Sequence, residues 1–183
     1  MVRIADDETD IEDEERLARS SSQARSGWEQ TLADLDAMVA DREEAGYEVV
    51  KIVAGDTAPK NPKSGDSEEW GLAYVIPGNH VDDFEEIYGQ ASFEETAVYQ
   101  ASSGPFQFIV TEVVDHDNEL VLFIAGSYEL RFAPELVRTA VDRGRMYSHV
   151  KTLDGTHLGT IEHDDPGAFF PNPETFYAYE SGA

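Results

Sequence analysis

The feature that most constrains this chain is a pair of strongly apolar segments, residues 106–114 and 119–125, separated by a short polar turn. If Val114 lies opposite Glu119, they form a hairpin that is apolar on both faces. One face carries Ile109, Thr111, Val113, Leu120, Leu122 and Ile124, and the other carries Phe106, Phe108, Val110, Val121 and Phe123. Such a hairpin has to be covered on both sides, so it lies at the centre of the fold. Helices, a second sheet or another subunit are the possible covers.

The remaining patterns predict helices and strands around this hairpin. Ser26 and Glu29 form a capping box at the start of a helix that ends at Gly46. Strands are predicted for residues 47–54, 70–76, 95–102, 106–114, 119–125, 146–153 and 156–162, and short helices for 81–88 and between Pro134 and Gly144. We therefore predict an α+β fold, an antiparallel sheet of six or seven strands with one N-terminal helix and two shorter helices.

The chain divides into three parts by composition. Residues 1–25 are highly charged and lack apolar periodicity, which predicts a disordered acidic arm. Residues 26–165 are predicted to form a single α+β domain. Residues 166–183 are irregular but aromatic, so we expect this tail to dock on the domain.

Charge excludes several classes of partner. The 183 residues include 38 Asp and Glu against 13 Lys and Arg, a formal charge of −25, and lysine occurs only four times. Phosphate backbones and anionic lipid surfaces attract positive charge, so we expect no nucleic-acid or membrane partner. Dispersed carboxylates repel one another in dilute buffer, and at ~1 M salt the Debye length of ~3 Å screens that repulsion. Dispersed carboxylates together with few lysines therefore predict a protein adapted to high salt.

Residues and motifs that the sequence lacks limit the cellular compartments and the kinds of chemistry that are compatible with it. The chain has no cysteine, which excludes disulfides, catalytic thiolates and zinc–thiolate sites. The longest apolar run, residues 120–125, is much shorter than a membrane span, and the first residues lack the apolar segment of a secretory signal. We therefore expect a cytoplasmic protein. Phosphate-loop, dinucleotide, nucleophile-elbow and His-Glu-x-x-His motifs are absent.

Four residues are candidates for binding a ligand. Residues 55–69 are predicted to be a long loop that carries Lys60 and Lys63, a basic island on an acidic molecule. His149 and His157 belong to the last hairpin, which turns at Asp154-Gly155. If Leu153 pairs with Thr156, His157 shares a face with His163 and His149 points to the other face. The competing interpretation is a mobile surface loop beside structural histidines.

The polar turn of the central hairpin offers a weak metal candidate. Asp115, His116 and Asp117 carry oxygen and nitrogen ligands, but they lack the glycine and distal glutamate of a calcium loop. Asp and Asn are common in turns for conformational reasons alone, so we interpret these residues as a turn. We expect no metal and no cofactor.

Two functions remain open. The first is a non-enzymatic interaction or regulatory module that self-associates through the doubly apolar hairpin. The second is a small-molecule or anion-binding protein, or a hydrolase, with its site under the 55–69 loop, Lys60 or Lys63 as the anion clamp and a histidine as the base. Whether the chain is an enzyme stays undecided, although the absent motifs favour the first function.

The chain resembles uncharacterised proteins of unknown function from halophilic archaea. The resemblance rests on the acidic texture and on two stretches, Ser-Tyr-Glu-Leu-Arg-Phe-Ala-Pro at 127–134 and Thr-His-Leu-Gly-Thr at 156–160. It implies a cytoplasm rich in salt, and it implies no activity and no site residue.

The charge analysis makes a direct prediction about stability. Raising KCl from ~0.1 M to several molar should raise the midpoint of thermal unfolding steeply, because salt screens the repulsion between carboxylates. Thermal melts followed by circular dichroism over a KCl series measure this. A midpoint that stays flat across the series contradicts salt adaptation.

Overall fold

A computed structural model describes residues 4–62 and 69–180, without the side chains of residues 4–14 and 20. Lys63 therefore lies outside the described residues. The helices are α1 (Ile4–Glu44), α2 (Val81–Gln90), α3 (Pro134–Arg143) and α4 (Pro173–Tyr177). The strands are β1 (Glu48–Val53), β2 (Asp56–Lys60), β3 (Gly71–Val75), β4 (Glu95–Ser103), β5 (Phe106–Asp115), β6 (Leu120–Glu129), β7 (Met146–Lys151) and β8 (His157–His163). No helix among the described residues is long and apolar enough to cross a membrane.

The strands form two four-stranded sheets, which we call sheet A and sheet B. Sheet A has the order β1-β6-β5-β4 and sheet B the order β2-β3-β7-β8. In sheet A, β1 runs parallel to β6, and in sheet B, β3 runs parallel to β7, while the other neighbours are antiparallel. Both sheets are therefore mixed.

The β5–β6 hairpin is covered on both faces, as its pattern requires. Ile109, Leu122 and Ile124 belong to the core between the two sheets, together with Leu72 and Tyr74 of sheet B. The opposite face, with Val110, Val121 and Phe123, packs against the side chain of Leu35 and its neighbours on α1. The predicted assignment of residues to the two faces is confirmed. Because the chain covers both faces itself, the hairpin gives no support to self-association, which stays a prediction.

The α+β class is confirmed, but the predicted single antiparallel sheet of six or seven strands is wrong. Eight strands are divided between two mixed sheets. Residues 56–60, predicted to be loop, form β2 at the edge of sheet B. Pro59 is compatible with that place because an edge strand needs no amide donor on its outer side.

Helix α1 begins well before the predicted start at Ser26. Residues 4–44 contain no proline and one glycine, so nothing in this segment interrupts a helix. At Gly27 an added Cβ would lie 2.2 Å from the ring of Phe108, so the glycine lets the helix approach the hairpin closely. The predicted domain boundaries at residues 25 and 165 stay predictions.

A buried histidine joins the two sheets. The Nδ1 atom of His163 lies 2.8 Å from the hydroxyl of Thr96 in sheet A, and its Nε2 atom lies 2.9 Å from the hydroxyl of Ser148 in sheet B. Its ring also contacts Phe169, with 4.7 Å between the ring centroids. Burial disfavours the charged ring and lowers the pKa of His163 to about 4.

This shift predicts how stability depends on pH. The unfolded chain binds a proton at His163 below about 6.5, whereas the folded ring stays neutral down to about 4. The stabilisation that comes from the neutral His163 ring is therefore complete above pH 6.5. It is lost as pH falls towards 4, which lowers the free energy of unfolding by up to roughly 3 kcal/mol. Between pH 7 and pH 4.5, the free energy of unfolding measured with urea should fall less for His163→Gln than for the wild type. Equal losses contradict the assignment.

Alanine substitutions at two glycines test the packing between the sheets. At Gly126 on β6, an added Cβ would lie 2.2 Å from the Thr57 hydroxyl and 2.9 Å from the ring of Tyr74. We expect Gly126→Ala to lower the free energy of unfolding by about 1–3 kcal/mol because the core has no room. Gly89→Ala is the matched control, since α2 leaves that position open and alanine favours the helix. Denaturant unfolding in molar KCl compares them, and equal effects contradict the packing.

Candidate functional site

A cluster of three potential metal ligands lies on the outer side of sheet B. Glu69 precedes β3 in the chain, His149 lies on β7 and His157 begins β8. The inward side chains of β7, including Met146 and Val150, belong to the core. Because side chains alternate along a strand, His149 points away from that core, which confirms the predicted orientation of His149.

The register of the last hairpin is irregular, and this irregularity moves His157. Val150 pairs with Gly159, but the next residue, Lys151, pairs with His157, so Leu158 is an extra residue in β8. A β-bulge of this kind reverses the side to which the following side chains point. The prediction that His157 shares a face with His163 is therefore wrong. His157 lies beside His149, with 6.0 Å between their ring centroids.

The polar atoms of the cluster converge on a small volume. The Oε1 atom of Glu69 lies 2.9 Å from His149 Nδ1 and 3.8 Å from His157 Nε2. The three ligand atoms lie within 4.8 Å of one another. The hydroxyl of Thr160 lies between the rings, 2.9 Å from His149 Nδ1 and 2.8 Å from His157 Nε2.

The hydrogen bonds determine which nitrogen of His149 carries the proton. Its Nε2 atom lies 2.7 Å from the carbonyl oxygen of Trp70, which can only accept, so Nε2 is the donor. In the neutral ring Nδ1 is then an acceptor, and its lone pair points into the cluster. Burial lowers the pKa of His149 despite the Trp70 carbonyl and the charge of Glu69, both of which favour the protonated ring.

Glu69 has one oxygen bound and one oxygen without a hydrogen-bond donor. Lys151 Nζ lies 2.9 Å from Oε2, whereas Oε1 is buried and has no hydrogen-bond partner among residues 4–62 and 69–180. Burial raises the pKa of Glu69, but the hydrogen bond from Lys151 and the nearby positive charges outweigh it and leave the pKa below its ordinary value. The cluster therefore brings a carboxylate oxygen and an imidazole nitrogen to the same point, 2.9 Å apart.

The other predicted ligand residues lie in separate places. Lys60 ends β2, opposite Gly71. Asp115 accepts hydrogen bonds from Ser92 and Asn118, and the Asn118 side chain and these backbone donors lower the pKa of its carboxyl. His116 lies between Glu95, 2.5 Å from Nε2, and the hydroxyl of Tyr47, 2.8 Å from Nδ1. These contacts are compatible with the turn interpretation, and Asp117 is exposed beside them.

Sequence reasoning missed Glu69 and Thr160. Glu69 closes the predicted loop, and its convergence with the hairpin depends on the parallel pairing of β3 with β7, which no local pattern records. For His157 a signal exists, since an isolated glycine inside a strand indicates a bulge or a close contact. Gly159 has both features, because an added Cβ there would lie 2.9 Å from the ring of Tyr88.

Comparison with known proteins adds a family assignment. Residues 14–171 match a family of unknown function, DUF7529. The chain belongs to this family. No curated protein and no solved structure matches the chain significantly. The expected resemblance to an uncharacterised family is confirmed, and the matched span includes every member of the Glu69, His149 and His157 cluster.

Proposed function

We propose that this protein binds a divalent transition metal ion, with zinc as the first choice, through Glu69, His149 and His157. The observation that carries the proposal is the buried Oε1 atom of Glu69, which has no donor among the described residues although it lies 2.9 Å from His149 Nδ1. Two electron-rich atoms at that separation repel each other unless a cation or a proton lies between them.

The distances suit a metal after a small movement. Zinc bonds of ~2.1 Å in tetrahedral geometry place ligand atoms roughly 3.3 Å apart. The Glu69 oxygen lies 2.9 Å and 3.8 Å from the two ring nitrogens, on either side of that value. His157 is half exposed at the start of β8, so its ring can turn towards the ion without disturbing the core.

The surroundings of the ligands resemble the supporting contacts of known metal sites. Metal-binding histidines usually donate their second ring N–H to a carbonyl or carboxylate, which fixes the ring. His149 donates Nε2–H to the carbonyl of Trp70 in this way. Lys151 holds the second oxygen of Glu69, so Oε1 is directed towards the imidazoles.

The ligand types favour a transition metal over magnesium or calcium. Two imidazoles and one carboxylate form a set that suits zinc and ferrous iron, whereas magnesium and calcium prefer oxygen ligands alone. Three protein ligands leave at least one coordination position for water or a bound molecule, as in catalytic zinc sites. This supports the ligand-binding or hydrolase alternative, in which Glu69, at the end of the predicted loop, is a metal ligand and not a clamp for an anion.

The setting of this function is part of the same proposal. The formal charge of −25 and the scarcity of lysine support a salt-rich cytoplasm as the place where the protein works. In molar salt, weak binding of cations to surface carboxylates is screened, whereas coordination by imidazole nitrogens depends less on charge.

Calorimetric titration with zinc in molar KCl tests the proposal. We expect one zinc ion per chain, and at least about tenfold weaker binding for Glu69→Gln and for His157→Ala, because each removes one of three ligands. Both side chains lie at or near the surface, so their replacement should leave the fold intact. Cobalt substitution adds a visible absorption band that reports the coordination number.

His116→Ala is the matched control for these variants. It also removes an exposed histidine that lies beside a glutamate, since His116 Nε2 is 2.5 Å from Glu95. Zinc affinity should be unchanged in this variant. Zinc binding that is absent, or that weakens equally in His116→Ala and His157→Ala, overturns the proposal.

A further inference from the structure

A cleft beside the metal ligands has the opposite charge to the rest of the molecule. It is lined by Trp70, Arg143, Arg145 and Tyr147 and has a volume of about 390 Å³. Arg143 ends α3 and Arg145 follows it after Gly144, whose φ of +66° turns the chain into β7. The turn places two guanidinium groups at one end of sheet B on a chain whose formal charge is −25.

The two arginines are weakly neutralised. Arg143 lies over the Trp70 ring, 5.3 Å from its centroid, and has no carboxylate within 4 Å among the residues that the structure describes. Arg145 lies 3.4 Å from the Tyr147 hydroxyl and only 3.8 Å from the exposed carboxylate of Glu162. Arg138, by contrast, is engaged by both oxygens of Glu180. Arg143 and Arg145 therefore have donors to offer to an anion.

Two residues that line the cleft, Trp70 and Tyr147, also contact His149. Trp70 follows Glu69 directly and holds His149 through its carbonyl oxygen. The ring of Tyr147 is stacked on the ring of His149, with 6.0 Å between centroids and 24° between planes. The Trp70 and Tyr147 rings meet edge to face, with 4.9 Å between centroids. A molecule in the cleft thus lies one aromatic ring away from His149.

We propose that this cleft binds a small organic anion with an aromatic part, held by Arg143 and Arg145. Guanidinium groups bind phosphate and carboxylate oxygens in pairs, which suits the anionic end. Tyr147, which is half buried, and the edge of Trp70 form an apolar wall for a ring. The cleft lies next to the proposed metal site but is lined by other residues, so this inference goes beyond that site and does not depend on the metal.

The expected anion clamp thus changes from lysine to arginine. Asn61 and Pro62, at the described start of the predicted loop, line a second cavity together with Arg143. Trp70, which follows Glu69 at its described end, has Arg143 over its ring. Arg143 is therefore close to both described ends of the segment that sequence reasoning selected for ligand binding.

Phenyl phosphate is the probe for this inference, because it joins a ring to a phosphate. We expect calorimetry to show that phenyl phosphate binds the protein, and that it binds Arg143→Gln at least about tenfold more weakly, because this variant loses a charge-assisted contact. Inorganic phosphate and benzylamine, which lack the ring and the negative charge respectively, should bind more weakly than phenyl phosphate.

Arg131→Gln is the matched control, since Arg131 lies over the ring of Phe132, 4.6 Å from its centroid, in the same manner as Arg143 over Trp70. Its affinity for phenyl phosphate should equal that of the wild type. If phenyl phosphate does not bind, or binds Arg143→Gln and Arg131→Gln equally, the inference is overturned. The metal proposal is tested separately by the zinc titration and is not affected by that outcome.

Discussion

The structure depends on one constraint, the need to cover the β5–β6 hairpin on both faces. Helix α1 covers one face and sheet B covers the other, so sheet B is held by a shared core that includes Ile124, Leu72 and Tyr74. Once the inner face of sheet B is committed to that core, the alternation of side chains leaves its outer face for polar chemistry. The candidate metal site is on that outer face, and it is thus a consequence of how the hairpin is buried.

Parallel pairing and a bulge then assemble the site from distant parts of the chain. The parallel alignment of β3 with β7 brings the residues before β3 alongside the start of β7, which places Glu69 and Trp70 next to His149. The extra residue Leu158 turns His157 to the same side. Bulges are common beside functional sites because they redirect a single side chain without dissolving the sheet. Without this one, His157 would point between the sheets, where an exposed imidazole has no place.

Local patterns predicted those parts of the fold that depend on local physics. The faces of β5 and β6 follow from a period of two, and the buried stripe of α3 follows from helical spacing, so both could be read from the residues. The start of α1 could not, because a good capping box at Ser26 lies within a segment that has no helix breaker. Strand β2 was hidden by Pro59 and its polar neighbours, and its strand character comes from pairing with β3. The cluster of Glu69, His149 and His157 depends on such tertiary pairings, which explains why His149 and His157 were candidates but Glu69 was not.

The acidity of the chain makes Lys151 an informative member of the site. A site made only of carboxylates would compete for cations with every other acidic patch on this surface, because charge alone would attract them. Lys151 lowers the negative charge of the cluster by binding Glu69 Oε2 at 2.9 Å, so simple attraction for cations is weakened there. The remaining ligand atoms are one carboxylate oxygen and two imidazole nitrogens. This set favours metals that bind nitrogen as well as oxygen. The contact of Lys151 with Glu69 is therefore consistent with the proposed preference for metals that bind nitrogen.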